Sequence, residues 1–283
     1  MPNHKPSRKS GSFKPEKKDN SRSKGPNINS RSSKAKAQEK GIEASSEIRL
    51  NKYIANAGIC SRRDADVLIS EGKVQVNGKV VTELGLKVKK SDKVVYQGKR
   101  LSPEKPVYVL LNKPKDFITT VDDPQNRKTV MKLIEKAAEE RIYPVGRLDR
   151  MTTGLLLFTN DGELAKRLMH PSHRIKKIYQ VELDKPVTKA DFEEILDGVK
   201  LEDGVVPVDQ LAVLEDDNQK LGIEIHVGRN RVIRRLFEAL GYKVVKLDRV
   251  VFGGLTKKEL SRGKFRHLSL REVQNLKNMV QIK

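Results

Sequence analysis

The sequence predicts an α+β fold, with a small helix–helix–hairpin unit ahead of a larger domain built on a mixed sheet. Three observations carry this. Strand-like and helix-like stretches alternate without a strict βαβ repeat, an Asn77-Gly78 turn splits two short apolar runs, and 283 residues allow about two domains. No internal repeat interrupts this reading.

Composition narrows the function classes. Lys and Arg outnumber Asp and Glu by 58 to 37, a net charge of +21, while apolar residues make up 36%. That is too apolar for a wholly disordered chain and too polar for a membrane protein. No window approaches the ~18 apolar residues of a spanning helix. Met1 to Ser12 lacks an apolar stretch, which predicts no secretory signal. The lone Cys60 cannot form an internal disulfide or build a zinc site by itself. A soluble cytoplasmic protein is expected. The charge points to a polyanionic partner, nucleic acid first. An anionic membrane surface ranks second, because no basic amphipathic helix stands out.

Residues 1–46 hold twelve Lys/Arg against four Asp/Glu and few large apolar side chains. They cannot bury enough surface to offset ordering entropy and are expected to be a disordered basic tail. They act either as an electrostatic arm for RNA or as a plain solubilising tail. Residues 47–105 form the small unit. Ile48, Leu50, Tyr53, Ile54 and Ala57 predict a short helix ending at Gly58. Ser61-Arg62-Arg63-Asp64 has capping-box spacing and opens a second helix that stops at Gly72. Val74 to Val76 and Lys79 to Val81 flank the Asn77-Gly78 turn as a hairpin. Residues 101–106, with two prolines, read as a linker into a domain spanning 106–283.

In that domain Tyr108 to Leu111 predicts a strand, Val130 to Ala138 a helix, and Leu155 to Phe158 a buried strand. Glu163 to Met169 follows as a helix, Ile178 to Leu183 as a strand, and Asp191 to Leu196 as a helix. Leu221 to Val227 alternates as a half-buried strand, and Val232, Ile233, Leu236, Phe237 and Leu240 form a helical stripe.

Several chemistries are excluded. No phosphate-binding P-loop, no glycine-rich dinucleotide fingerprint and no nucleophile elbow occurs. His170 and His173 lack further ligands at metal spacing and read as structural or surface histidines. Three segments remain. Gly146-Arg147-Leu148-Asp149-Arg150-Met151-Thr152-Thr153-Gly154 sets one carboxylate in a glycine-bounded loop before a core strand. Alone, Asp149 reads as a surface ion-pair residue. Lys176 to Val181 places Tyr179 among basic residues, where an ordinary strand tyrosine is the plain reading. Gly228 to Arg235 puts Arg231, Arg234 and Arg235 opposite the apolar stripe, as in a solvated basic face.

Taken together, these stretches resemble a known family. "RLNKYIANAGICSRRDADVLISEGKVQVNGKVV" resembles the S4 RNA-binding domain. "PVGRLDRMTTGLLLFTNDGELAKRLMHP", with "YVLLNKPKDFITT", "KIYQVEL", "GRNRVIRRLFEALG" and "VKLDRVVFGGL" in order, is similar to the RsuA/RluB/RluE/RluF group of ribosomal-RNA pseudouridine synthases. The resemblance covers residues 48–275. Val232 stands where that group often has Gln.

The resemblance implies an isomerase that converts a uridine of ribosomal RNA to pseudouridine, with a large mixed, mainly antiparallel sheet and no cofactor or metal. It maps the essential aspartate onto Asp149, as nucleophile at the ribose or the base, or as base for the ribose 2′-proton. It maps the tyrosine onto Tyr179 and the partner cation onto Arg234. An ionised carboxylate in a dry pocket needs a cation beside it, and Arg suits that place. Ile233 then forms the apolar wall below the base, and Arg147 holds phosphate or its own loop. Arg62 and Arg63 at a helix start, with Arg231, bind RNA phosphate. "RRDADVLI" and "LMHP" lean the target toward 23S rRNA, free or in an assembling particle. Nothing demands more than a monomer. A non-catalytic RNA-binding or ribosome-assembly factor on the same fold is the alternative, with an aspartyl hydrolase a distant third.

The tail reading has a direct test. Deleting residues 1–46 is expected to weaken RNA binding mainly at low salt and to flatten the dependence of log K on log salt. An unchanged slope in a binding titration removes the arm.

Overall fold

The computed structural model describes residues 47–282, so the expectation for the tail lies outside the described residues. The small unit forms as the sequence predicts. A two-residue strand β1 (Ile48–Arg49) leads into α1 (Leu50–Asn56), and α2 (Arg62–Ser70) follows. Ser61 Oγ accepts from the Asp64 N–H at 3.2 Å, and Asp64 returns the bond to the Ser61 N–H at 3.3 Å, closing the capping box. Strands β2 (Val74–Val76) and β3 (Lys79–Val81) pair across Asn77 and Gly78, which both take positive φ, as a tight two-residue hairpin requires. Strands β4 (Lys87–Val88), β5 (Val94–Tyr96) and β6 (Lys99–Arg100) complete it. Leu50, Ile54, Ile69, Val74, Val88 and Val94 close a core of their own. Leu101, expected in the linker, belongs to that core: its N–H donates to Val94, and its carbonyl accepts from the Tyr53 hydroxyl.

The connection to the larger domain is pinned by one side chain. Asn160 accepts from the Val107 N–H at 2.8 Å and donates to the Lys105 carbonyl at 2.9 Å and the Glu104 carboxylate at 3.3 Å. The Glu104 N–H in turn reaches the Asn56 carbonyl at the end of α1.

The larger domain comprises β7 (Tyr108–Lys113), α3 (Met131–Ile134), β8 (Tyr143–Pro144), β9 (Thr153–Thr159), α4 (Gly162–Met169), β10 (Lys177–Leu183), α5 (Lys189–Asp197), β11 (Val199–Leu201), β12 (Gly204–Val206), β13 (Gln210–Leu214), β14 (Asp217–Ile225), α6 (Val232–Ala239), β15 (Val244–Phe252), β16 (Leu255–Thr256), β17 (Phe265–His267) and α7 (Leu270–Met279). Its main sheet runs β13-β14-β10-β15-β9-β7-β17. Every neighbouring pair on that path is antiparallel except β15 with β9. This is the mixed, mainly antiparallel sheet that the sequence predicts.

Burial explains the two kinds of strand pattern. All seven residues of β9 are buried, because Leu156 and Phe158 face one core and Leu155 and Leu157 the other. In β14, by contrast, Leu221, Ile223 and Ile225 face a single core and alternate with more exposed neighbours. Val227, expected in this strand, lies beyond it, because the ladder stops where the His226 carbonyl accepts from Lys177 instead. The helix expected over Val130 to Ala138 shortens to the single turn of α3. Val130, Ile134 and Ala137 still reach the core, so packing overrides the local propensity of the alanines and glutamates.

The main sheet's one parallel pairing is held by Gly154. It pairs with Arg249 at φ +106°, and a Cβ there would lie 2.2 Å from the Arg249 carbonyl oxygen and 2.5 Å from its nitrogen. Both obstacles are backbone in the sheet centre and cannot yield. Gly154→Ala is expected to lower stability by at least about 2 kcal/mol in urea unfolding, through overpacking and strain together. A wild-type midpoint would show that the strands can separate without penalty.

Candidate active site

The loop carrying Asp149 lies between β8 and β9 and is fixed from behind. Val145 N–H donates to Leu157 at 2.7 Å, and Thr119 Oγ1 donates to the Leu148 carbonyl at 2.8 Å. Asp116 N–H reaches the Arg150 carbonyl, and its carboxylate pairs with the Arg150 side chain at 3.0 Å. The strongest tether is Lys113 at the end of β7. Its side chain is fully buried, and Nζ donates to the carbonyls of Asp149 at 3.1 Å, Arg150 at 3.2 Å and Thr152 at 2.8 Å, as well as Pro114 at 3.1 Å. Burial pushes this ammonium down to about 8, against the pull of Asp149 and Asp116, so it keeps its proton at neutral pH. Four main-chain oxygens thus take the place of water around one cation.

Asp149 looks into a cavity of about 570 Å³. Tyr179 of β10, Leu247 and Arg249 of β15, and Ile233 of α6 also line it. Tyr179 and Ile233 are buried, at 8% and 4% exposure. Arg147, Lys177, Arg229, Arg231 and Arg249 line the same space, and Asp149 is its one carboxylate among the described residues. Two of these cations are held by acids outside the cavity. Arg231 pairs with Glu238 at 3.3 Å, and Arg229 lies 3.5 Å from Asp203 while donating to the Gly204 carbonyl. The excess of positive charge suits a ligand that is anionic or becomes so.

The structure gathers Asp149, Tyr179, Ile233, Arg147 and Arg231 around one cavity and leaves three expected residues elsewhere. Arg62 lines a separate groove, with Lys52, Lys166, His170 and His173, that meets the cavity at Tyr143 and Met169. Arg63 is exposed on the same helix end. Arg234 departs from its expected geometry. It is half-buried rather than on a solvated face, and Nη1 donates to the Val244 carbonyl at 2.9 Å. Its buried Nε has no partner, and no ion pair within 4.0 Å joins it to Asp149 among the described residues. Burial and Arg231 lower its basicity while Asp149 raises it, so the two charges interact through space. The helical wheel could not foresee this, because the carbonyl it serves belongs to β15. His170 accepts from Ser172 N–H and caps a short 3₁₀ turn, as a structural histidine does.

Sequence reasoning missed Lys113, Lys177 and Arg249. Each sat inside a quoted stretch, yet only the tertiary partners reveal it. The one available signal was a lysine or arginine inside an otherwise apolar strand, where burial demands a reason.

Comparison with known proteins bears on the same regions. The S4 domain model matches residues 48–94, and the model for RNA pseudouridylate synthase matches residues 107–239. The chain is 45% identical over 233 residues to "Ribosomal large subunit pseudouridine synthase B" of Bacillus subtilis (strain 168), covering 81% of this chain and 95% of that one. It is 41% identical to an "Uncharacterized RNA pseudouridine synthase" of Aquifex aeolicus (strain VF5), covering 84% and 96%. A solved structure titled "Crystal structure of pseudouridylate synthase" superposes with a TM-score of 0.60 at 30% identity, covering 81% of this chain and 99% of that one.

The tether is open to measurement. Lys113→Met removes the donor and leaves buried carbonyls unpaired, which is expected to cost about 3 kcal/mol in urea unfolding. Amide exchange at residues 149–153 should quicken by at least about tenfold in the surviving fold. Unaltered exchange there would mean that the loop holds itself.

Proposed function

The chain belongs to the RNA pseudouridylate synthase family, with an S4 domain at its N-terminal side, and from that premise we propose that it isomerises one uridine of 23S ribosomal RNA to pseudouridine through Asp149. The observation that carries the reading is the single carboxylate facing a cation-rich cavity from a loop anchored by Lys113. A cavity of about 570 Å³ is within the range of small-ligand pockets and can admit a nucleotide turned out of its stack.

The reaction breaks the C1′–N1 bond, turns the uracil and forms a C1′–C5 bond, with the C5 proton lost and N1 protonated. It involves no net oxidation. Asp149 serves it ionised, whether it bonds to the ribose or the base or takes the 2′-proton. The loop's main-chain tethers fix the backbone from which the carboxylate projects. That preorganisation is what a positioned acid–base or nucleophilic group needs. Tyr179 and Ile233 form apolar walls for the uracil, and the Tyr179 ring can stack on it. Arg234 on α6 supports the Asp149 charge through space, while its Nη1 stays on the Val244 carbonyl.

The flanking RNA is held by charge. Arg147 and Arg231 stand at the cavity, and Arg62 with Arg63 opens α2, where the helix dipole also favours phosphate. The groove that joins Arg62 to the cavity supports one continuous RNA track across both parts of the chain. Target choice in the large-subunit RNA rests on the similarity to the Bacillus subtilis relative.

Tritium release from C5-labelled, unmodified 23S RNA tests the reading. The wild type should release tritium, and Asp149→Asn should abolish release while RNA binding stays within severalfold. A large loss of binding in Asp149→Asn would make the residue structural. Release from C5-labelled 16S RNA assayed in parallel, with none from 23S RNA, would overturn the target.

A further inference from the structure

Two of the cations that line the cavity, Lys177 and Arg249, take no part in the steps assigned to Asp149, Tyr179 and Arg234. Lys177 and Tyr179 lie two residues apart on β10, both lining the cavity. Across the sheet, Tyr179 pairs with Arg249, and Lys177 pairs with Phe252. The register slips between Ile178 and Tyr179, whose partners jump from Val251 to Arg249 and leave Val250 as an extra residue. This bulge resets the alternation of β15, so that Leu247, Arg249 and Phe252 are the buried residues at that end. Arg249 therefore shares a face with Phe252, its guanidinium 4.7 Å from the ring centroid.

Neither cation is neutralised by the fold. Arg249 is 3% exposed, its Nε donates to the Leu155 carbonyl at 2.7 Å, and its buried Nη2 has no partner. Lys177 Nζ donates to the carbonyls of Ile175 at 3.0 Å and His226 at 2.7 Å, leaving one N–H free of these bonds. Burial, reinforced by the Arg249 charge, pushes Lys177 down to about 8. Asp209 offsets this only from a distance, because its carboxylate is engaged by His226 and Arg174. Among the described residues, no carboxylate lies within 4.0 Å of either cation, and Asp209 acts on Lys177 only through space. Two like charges, one buried and one half-buried, that line one cavity without a counter-ion are unfavourable unless an anion arrives.

Resting on the isomerase reading, we propose that Lys177 and Arg249 stabilise the uracil as an anion after its bond to the ribose has broken. The C1′–N1 electron pair leaves with the uracil and spreads over N1 and its carbonyl oxygens. Asp149 compensates C1′, by bonding to it or by accepting the 2′-proton. When C5 bonds to C1′, the Asp149–C1′ bond breaks or the 2′-proton returns from Asp149 to C2′; the C5 proton then departs, N1 gains one, and the charge withdraws. Neutral uridine in the ground state gains little from the pair, so its effect falls on the chemical step.

The test uses the full-length protein with C5-tritiated 23S RNA at saturating concentration, in single turnover. Lys177→Gln keeps a donor for the two carbonyls and removes the charge. Tritium release should slow by about 100-fold with RNA affinity within about threefold, and Lys177→Arg should restore the rate to within about tenfold of wild type. Thermal melting confirms folding of each variant, and Lys177→Met supplies a second neutral variant should Gln be poorly tolerated. Wild-type rates in a folded neutral variant overturn the proposal. A loss confined to RNA affinity overturns it too and reassigns the pair to a phosphate. Failure of the wild type itself to release tritium, with RNA bound, instead removes the isomerase reading on which the proposal rests.

Discussion

A buried ammonium group holds the site together. Lys113 brings three N–H donors to four carbonyl oxygens, three of them in the stretch from Asp149 to Thr152. Beyond Leu148 this loop, with exposed arginines at 147 and 150 and a positive φ at Gly146, offers no buried apolar side chain before β9. Its main chain is ordered instead by a charge that is itself out of reach of water. The arrangement is mutual. Without the carbonyls the ammonium would be an unpaired buried cation, and without the ammonium the carbonyls would be orphaned acceptors.

That dependence spreads outward from β7. Asn112, next to Lys113 and also buried, donates to the Leu260 carbonyl and accepts from Arg262. Arg262 bonds to Asp248 on β15, which in turn accepts from Thr153 and pairs with Lys257. Burial alone would raise the Asp248 pKa, yet these three donors outweigh it and bring it to about 2. A polar chain therefore links β7, the first residue of β9 and the middle of β15. The sheet's single parallel contact lies within it, where Gly154 lets β15 approach. The cavity floor and the Asp149 loop are thus set by one connected framework.

Much of the fold is legible in the sequence, because its signals are local. The capping box at Ser61, the Asn77-Gly78 turn and the apolar run of β9 each declare an element within a few residues. Asp149, Tyr179 and Ile233 meet around one cavity as their motifs imply. What stayed hidden is long-range. Lys113 looks like the end of a strand until its carbonyls are seen, and Arg234 looks like part of a basic face until Val244 is seen opposite. Arg249 reads as one charge among several in "VKLDRVV", because a bulge has no sequence mark and it is the bulge that turns Arg249 toward Phe252.

The partnership of β7 with β17 sets an order of events for the newborn chain. Strand β7 pairs with Phe265 to His267, and Asn112 waits for Leu260, some 148 residues downstream. Contacts separated this far carry a high loop-closure cost and form late in folding. The small N-terminal unit, with its own core and short-range pairings, can close long before. During synthesis the chain therefore passes through a stage with one finished module and an unfinished cavity. The framework around Asp149 is completed only after the last strand has left the ribosome.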